Sequence, residues 1–459
     1  MEQFYVEDYL VAKNTDKSEK TYDFETLCKL INKDFLKEWD EQKDNIRTTL
    51  DIQKKAIIGY KKEVAFFKNK IIDLLKNYGK TLELPAWYES LEDGIYHENW
   101  GLAGISEWFS EAYKESSSAK VIGDRIYFME NGKMCLKEQR ITKERREQLV
   151  RALLLLTPEE RLDKEFHELY MLDGTRVTIF GGAMVKEGQD VIIFRRYIIP
   201  TYTFEEQNKR GTIPKEVIPL FKQMVSLGYN VAFTGAVRTA KTTFLSTWQS
   251  YENESLEGVM VETDPEIPLH TLMPNAPIVQ VLADNDRLPS IIKNLLRSDA
   301  DYMIMAEARE GVALDVAVRL AGKGTRRVKI TYHTREPLNF PYDVASEIVA
   351  SQGGDIHMVA KKVASSFDYI FHFVQLKDKS KKKLKSIHEL SYNRSEDKIL
   401  MKPLCEYDYL TDKWQFYNVI SEDKRDAAME EDSAIFKKFA NTLAQISTNT
   451  CGLNVRGRK

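Results

Sequence analysis

The sequence predicts an α/β protein of several domains. A parallel-sheet domain occupies the second half, a smaller α+β domain precedes it, and a helical extension begins the chain. Three observations carry this. Strand-like and helix-like segments alternate from 215 to 376, the pattern of a parallel sheet with helical crossovers. At NVAFTGAVRTAKTTFL (230–245) an apolar strand passes through a glycine turn into a helix. Residues 1–90, by contrast, are rich in Lys and Glu and poor in Gly and Pro.

Composition narrows the class. The 459 residues are 43% hydrophobic and 30% charged, which suits a soluble globular protein of two to four domains and argues against wholesale disorder. Lys and Arg total 67 against 70 Asp and Glu, a net charge of −3, so nucleic acid binding is not expected without a local basic patch. Apolar runs are all short of the ~20 residues that cross a bilayer, so no direct membrane insertion is expected. The opening MEQFYVEDYLVAKN is acidic and broken by charges, unlike a signal peptide. Cys28, Cys135, Cys405 and Cys451 are scattered with no CxxC pair, which points to a reducing cytoplasm rather than to zinc or disulfides.

The elements follow in chain order. Leu50, Ile57, Val64, Ile71 and Tyr78 recur every seven residues, as do Tyr60, Phe67 and Leu74, which predicts one long amphipathic helix over 46–78. Its seam is expected to pack on its own domain, with Gly79 as its stop. Residues 1–90 form the helical extension and 91–200 the α+β domain. In the latter, 121–136 reads as a hairpin turning at Glu130-Asn131-Gly132, 140–156 as a helix with a basic first half, and 173–182 and 190–200 as strands. Residues 201–214 read as a linker. The parallel-sheet domain, 215–392, has strands at 230–235, 258–263, 301–307, 327–333 and 366–374. A basic turn, KDKSKKKLK (377–385), follows, and 393–459 is expected to be helical, with DSAIFKKFANTLAQI (432–446) the clearest helix.

The most specific signal is Gly235-Ala236-Val237-Arg238-Thr239-Ala240-Lys241-Thr242-Thr243, one residue away from the phosphate-loop pattern G-x-x-x-x-G-K-[ST]. Successive backbone N–H groups in such a turn curl around a phosphate, and the helix N-terminus adds partial positive charge. Lys241 then reaches the β- and γ-phosphates of ATP, and the Thr242 hydroxyl binds Mg²⁺. Two residues depart from the pattern: Ala240 replaces the second glycine, and Arg238 stands where glycine is common. If Arg238 needs a positive φ, it carries strain of roughly 1 kcal/mol.

Acids come next. Strand 258–263 ends near Glu262, with Asp264 and Glu266 beyond it, and strand 301–307 delivers Glu307 at its C-terminal end, where α/β domains place their ligands. A carboxylate there can polarise water or hold the shell of a magnesium ion, so Glu307 and Glu262 are candidates to position or activate water and Glu307 is also a candidate metal contact. Strand 327–333 delivers His333, which could hydrogen-bond a γ-phosphate.

From residue 98 to about 392 the order and spacing of these motifs resemble the type II/type IV secretion superfamily of traffic ATPases, most of all the tight-adherence (Tad/Flp) pilus ATPases. DGTRV (173–177) is similar to the family's DGSRV, and FRRYIIPTYTFEEQ (194–207) to its basic linker. VETDPEI resembles its acidic box, with Glu262 and Glu266 on the two glutamates and Thr263 replacing an Asp. KNLLRSDADYMIMAEAREGVALD resembles its Walker B stretch, with Glu307 on the glutamate, Arg309 on the following arginine and Ala306 replacing a glycine. TYHT matches its histidine box at His333. The resemblance implies a RecA-like P-loop NTPase domain under an N-terminal domain, with ATP and Mg as cofactors. It implies a cytoplasmic homo-hexamer at the inner face of the cell membrane, working on an inner-membrane platform protein in pilus assembly or protein secretion. It assigns arginines that meet the nucleotide to Arg176 and Arg195; Arg196, next in the strand, is expected on the opposite face. Two other readings stay open: a nucleotide-binding subunit that hydrolyses slowly or not at all, and a RecA-like motor on nucleic acid. The basic tracks for the latter, 377–385 and KERRE (143–147), read more simply as a solvated turn and an exposed helix face.

Overall fold

The computed structural model describes residues 21–41, 46–78, 83–154, 166–196, 198, 201–263, 266–283, 287–295, 300–308 and 310–450. The chain divides into two compact units, Met1–Ile198 and Ile199–Lys459.

The first unit opens with helices Phe24–Glu41, Ile46–Ile57, Lys61–Leu75 and Leu91–Asn99. The single helix expected over 46–78 is therefore two. Gly59 takes φ +103°, and its N–H and that of Tyr60 reach back to the carbonyls of Ala56 (3.0 Å) and Lys55 (3.1 Å). These are the two bonds of a Schellman stop, which a left-handed glycine permits and a heptad count does not register. The seven-residue series survives the break: Phe67, Ile71 and Leu74 are buried with Leu27, Ile31 and Phe35. Leu91–Asn99 joins the same core through Ile95 and Tyr96, followed by Trp100, whose ring lies 4.4 Å from that of Phe35.

Among the described residues six strands follow: β1 (Ser118–Ile122), β2 (Arg125–Glu130), β3 (Lys133–Arg140), β4 (Phe166–Tyr170), β5 (Arg176–Phe180) and β6 (Val191–Arg195). They form an antiparallel sheet in the order β3-β2-β1-β6-β5-β4. The β2–β3 turn has positive φ at both Asn131 and Gly132, as the Asn-Gly pair requires. Helix Lys143–Leu154 buries Leu149 and Leu153 in the core shared with Val121, Ile192 and Phe194. Lys143, Glu144 and Glu147 are exposed as expected, but the two arginines between them are not. Arg145 is buried and donates to the carbonyl of His97 (2.9 Å); Arg146 is buried and donates to the carbonyl of Gly123 and to Asp190 (both 2.7 Å).

Among its described residues the second unit holds nine strands: β7 (Val231–Gly235), β8 (Gly258–Glu262), β9 (Ile278–Leu282), β10 (Tyr302–Met305), β11 (Lys329–Tyr332), β12 (Tyr369–Gln375), β13 (Lys382–Asn393), β14 (Lys398–Asp408) and β15 (Lys413–Phe416). The run β12-β7-β11-β10-β8-β9 is wholly parallel, and β13, β14 and β15 extend it as an antiparallel meander beyond β12. One strand, β11, separates β7 from β10. This is the α/β architecture the sequence predicts. One face of the sheet packs Phe221, Phe233, Phe244, Trp248 and Phe371; the other packs Ala232, Ile330 and Ile370 under helices Gly311–Gly322, Phe340–Gln352 and Ile356–Ser366.

Three local readings differ from expectation. Residues 201–214 contain helix Phe204–Lys209, capped by Thr203, and Phe204 is buried against Phe221 and Trp248, so this segment belongs to the core of the second unit. Residues 398–416, expected to be helical, form β14 and β15. Pro403 disguises β14; it sits opposite His388 beside a register shift, where a missing N–H is tolerated. The final helical segment, Glu422–Thr450, is interrupted at Asp432, whose Oδ1 accepts from the N–H groups of Ala434 (2.8 Å) and Ile435 (2.9 Å) and so starts the part read from sequence. The basic stretch 377–385 spans the β12–β13 turn, and within it Lys383 is paired with Asp412 at 2.7 Å. Among the described residues no helix is long and apolar enough to cross a membrane.

Candidate functional site

Strand β7 is buried throughout and ends at Gly235. Gly235 has φ +141°, and a Cβ there would stand 2.3 Å from the carbonyl oxygen of Phe373 on the neighbouring β12 and 2.8 Å from Thr239 Oγ1. Any side chain would push the loop off the sheet, so the turn demands glycine. Ala236, Val237 and Arg238 are exposed at the bend. The Thr239 hydroxyl folds back to donate to the carbonyl of Ala236 (2.9 Å), and Gln375 Nε2 donates to the carbonyl of Arg238 (3.4 Å). Helix Lys241–Gln249 then begins, with Thr242 half-buried in its first turn and Thr243 buried behind it.

Both departures from the loop pattern fall on left-handed residues: Arg238 has φ +66° and Ala240 φ +71°. The pattern prefers glycine at 240 because that residue must leave the loop in the left-handed region before the helix starts. Ala240→Gly is accordingly expected to stabilise the protein by about 1 kcal/mol. A denaturant midpoint that does not rise in this variant would show that the loop bears no strain at 240.

Lys241 is 5% exposed. Its ammonium donates to the carbonyl of Ala236 (2.8 Å) and lies 3.3 Å from His333 Nδ1. An ammonium has no acceptor, so Nδ1 accepts and the imidazole keeps its proton on Nε2. His333 follows β11, which pairs with β7 so that Tyr332 stands opposite Thr234. A buried imidazole, His372 on β12, shares a hydrogen bond of 3.0 Å with Thr234. Burial, with Lys385, His388 and Lys241 nearby, pushes it down to about 4, so it is neutral in the physiological range.

The acids stand at the same end of the sheet. Glu262 closes β8 and is 3% exposed; its Oε1 accepts from the N–H groups of Glu266 (3.2 Å) and Ile267 (3.0 Å), fastening the loop that follows. Glu307 follows β10 with φ +59°, a third left-handed non-glycine residue at this edge. Its N–H donates to Thr331 Oγ1 (2.9 Å), and the N–H of Ala308 to the carbonyl of Thr331 (3.1 Å). Glu262 and Glu307 line one cavity of about 160 Å³ together with Thr263, Leu288, Met305 and Glu310; the loop residues 235–243 are not among its walls. Asp264 and Arg309 lie outside the described residues.

In the first unit, β5 and β6 set Arg176 opposite Arg195. Arg176 donates to Glu168 Oε1 at 2.6 Å, and Arg195 is exposed. Arg196 is built into the fold: it donates to the carbonyls of Ser116 (3.1 Å) and Trp108 (2.9 Å) and lies 4.0 Å over the Trp108 ring.

Gly235, Glu262, Glu307 and His333 thus stand at the C-terminal ends of neighbouring parallel strands, and Lys241 meets His333 although more than ninety residues separate them in sequence. Sequence reasoning missed Phe373, whose carbonyl seals Gly235, and Thr331, which lay unremarked inside TYHT. Among the described residues no group of three or more His, Cys, Asp and Glu could hold a metal ion. A magnesium ion held mainly by phosphate oxygens and water would need no such group, and the half-buried Thr242 at the helix start would be the residue to offer it a hydroxyl.

No family model matches the chain, and no curated protein matches it. Among solved structures it is similar to the VirB11 ATPase of the Brucella suis type IV secretion system in complex with sulphate (14% identity, 62% of this chain and 92% of that chain, TM-score 0.34). It is also similar to the pilus retraction motor PilT with bound ADP (14% identity, 73% and 88%, TM-score 0.44) and to the Legionella pneumophila ATPase DotB (14% identity, 75% and 88%, TM-score 0.44).

Proposed function

We propose that this chain is a Mg-dependent ATPase of the secretion and pilus traffic superfamily. The observation that carries the reading is the glycine-demanding turn at Gly235 joined to the buried Lys241, whose ammonium is held between a loop carbonyl and His333. Such a group has its desolvation already met, so its charge is presented at one place rather than spread over rotamers. The loop N–H groups and Lys241 neutralise the β- and γ-phosphates, and the Thr242 hydroxyl and the Glu307 carboxylate would hold the magnesium ion. Bound magnesium supplies charge neutralisation across the phosphate oxygens. Glu307 takes the proton of the attacking water, and Glu262 holds the acidic loop beside it. His333 donates from Nε2 to a phosphate oxygen. Arg176, Arg195 and Arg309 are the guanidinium groups proposed to meet the developing phosphoryl charge.

On the same reading the protein works as a homo-hexamer in the cytoplasm, peripheral to the inner membrane, and drives a platform protein of a pilus or secretion system of the Tad/Flp kind. The motif order from 98 to 392 supports this. Purified protein is expected to release phosphate from Mg-ATP over many turnovers, with release lost when the metal is chelated, and to grow in size when an ATP analogue is added. Nucleotide binding without turnover would favour a non-hydrolysing subunit, and stimulation by DNA that disappears with salt would favour a nucleic-acid motor.

A further inference from the structure

We propose that Thr331 is the residue that positions Glu307, and that β11 is the element that spaces the candidate base from the phosphate-binding lysine. The proposal rests on the ATPase reading above. The chain leaves β10 at Met305 and turns through Ala306 to Glu307, which adopts φ +59°. A non-glycine residue stays in that region only when its surroundings hold it there. A residue of the neighbouring strand holds two amides of this turn. The Thr331 hydroxyl accepts from the Glu307 N–H at 2.9 Å, and the Thr331 carbonyl accepts from the Ala308 N–H at 3.1 Å. Two successive amides of the turn are thereby clamped, one by a side chain and one by the backbone. Thr331 is 1% exposed and lies mid-strand, paired with Phe233 on β7, so the clamp is anchored to the strand that carries the phosphate loop.

The same segment acts a second time just past the end of β11. Two residues beyond Thr331, His333 meets the Lys241 ammonium at 3.3 Å. The segment thus touches the acid side through Thr331 and the loop side through His333, with one residue between. The direction of the Glu307 carboxylate follows from its backbone turn, and the hydroxyl of Thr331 is the only part of the clamp that a side-chain substitution can remove.

The test is Thr331→Val, which keeps the β-branched shape and deletes the acceptor, with Thr331→Ser as the conservative variant. Thr331→Val is expected to lower kcat by roughly 10- to 100-fold, the scale of a misplaced catalytic group, while nucleotide Kd stays within about twofold. Amide hydrogen exchange at Glu307 should speed up in the same variant, and Thr331→Ser should restore both readouts. Equal losses of kcat and affinity, failure of Thr331→Ser to rescue, or an unchanged Glu307 amide in Thr331→Val would each overturn the assignment. Absence of turnover in the unmodified protein would instead sink the ATPase reading, and the Glu307 amide still reports on the clamp in that event.

Discussion

Replacing Lys241 by Ala is expected to stop ATP turnover, with a loss of at least roughly 100-fold, and to weaken nucleotide binding as well. The charge removed is not a surface lysine. Its ammonium is buried, fixed 2.8 Å from the carbonyl of Ala236 and 3.3 Å from His333. Solvent cannot replace a charge at that point, and the backbone amides of the loop alone leave the β- and γ-phosphates under-neutralised. Deletion removes one of the two donors to the Ala236 carbonyl, which keeps the Thr239 hydroxyl, and the ammonium beside His333, at a cost of about 1 kcal/mol that a two-unit protein of this size can absorb and stay folded. Phosphate release and calorimetric nucleotide binding, measured on the same preparation, read the two effects. Turnover close to that of the unmodified protein would show that the loop is not the site of chemistry.

Glu307→Gln should separate chemistry from binding. Gln has the shape of Glu and sits in the same left-handed turn, so the Thr331 clamp is kept while the proton acceptor is lost. Turnover is expected to fall roughly 10²- to 10⁴-fold, the range for removal of a general base. Nucleotide affinity should hold, because the loop and Lys241 are untouched. A variant that loses affinity in step with rate would place Glu307 among the binding groups, and one that hydrolyses ATP normally would hand the role of base to another acid, with Glu262 the next in line.

The site is legible in sequence to the extent that its demands are local. A left-handed turn, a strand leading into a helix and a Lys-Thr at the helix start all lie within a dozen residues, and each leaves a residue-type signature. The Asn131-Gly132 hairpin was readable for the same reason. Where the signal was local but the reading was periodic, the structure differs: Gly59 marks a helix stop inside a heptad series that runs on past it. Pro403 misled in the opposite sense, since a bulge excuses the missing N–H. Arg145 and Arg146 looked like an exposed basic stripe because helical spacing does not say that two backbone carbonyls and Asp190 wait on the buried side.

By itself, then, the chain of residues determined the class of fold, the phosphate-type turn and the presence of acids at strand ends, because short-range backbone sterics and hydrophobic alternation are written in neighbouring positions. Only the tertiary structure decided which strand stands between β7 and β10, that Lys241 meets His333, that Thr331 grips Glu307, and that Arg196 is consumed by the fold while Arg195 is exposed. Those outcomes depend on strand order and register across the sheet, which arise from contacts between segments far apart along the chain, and no local pattern encodes them.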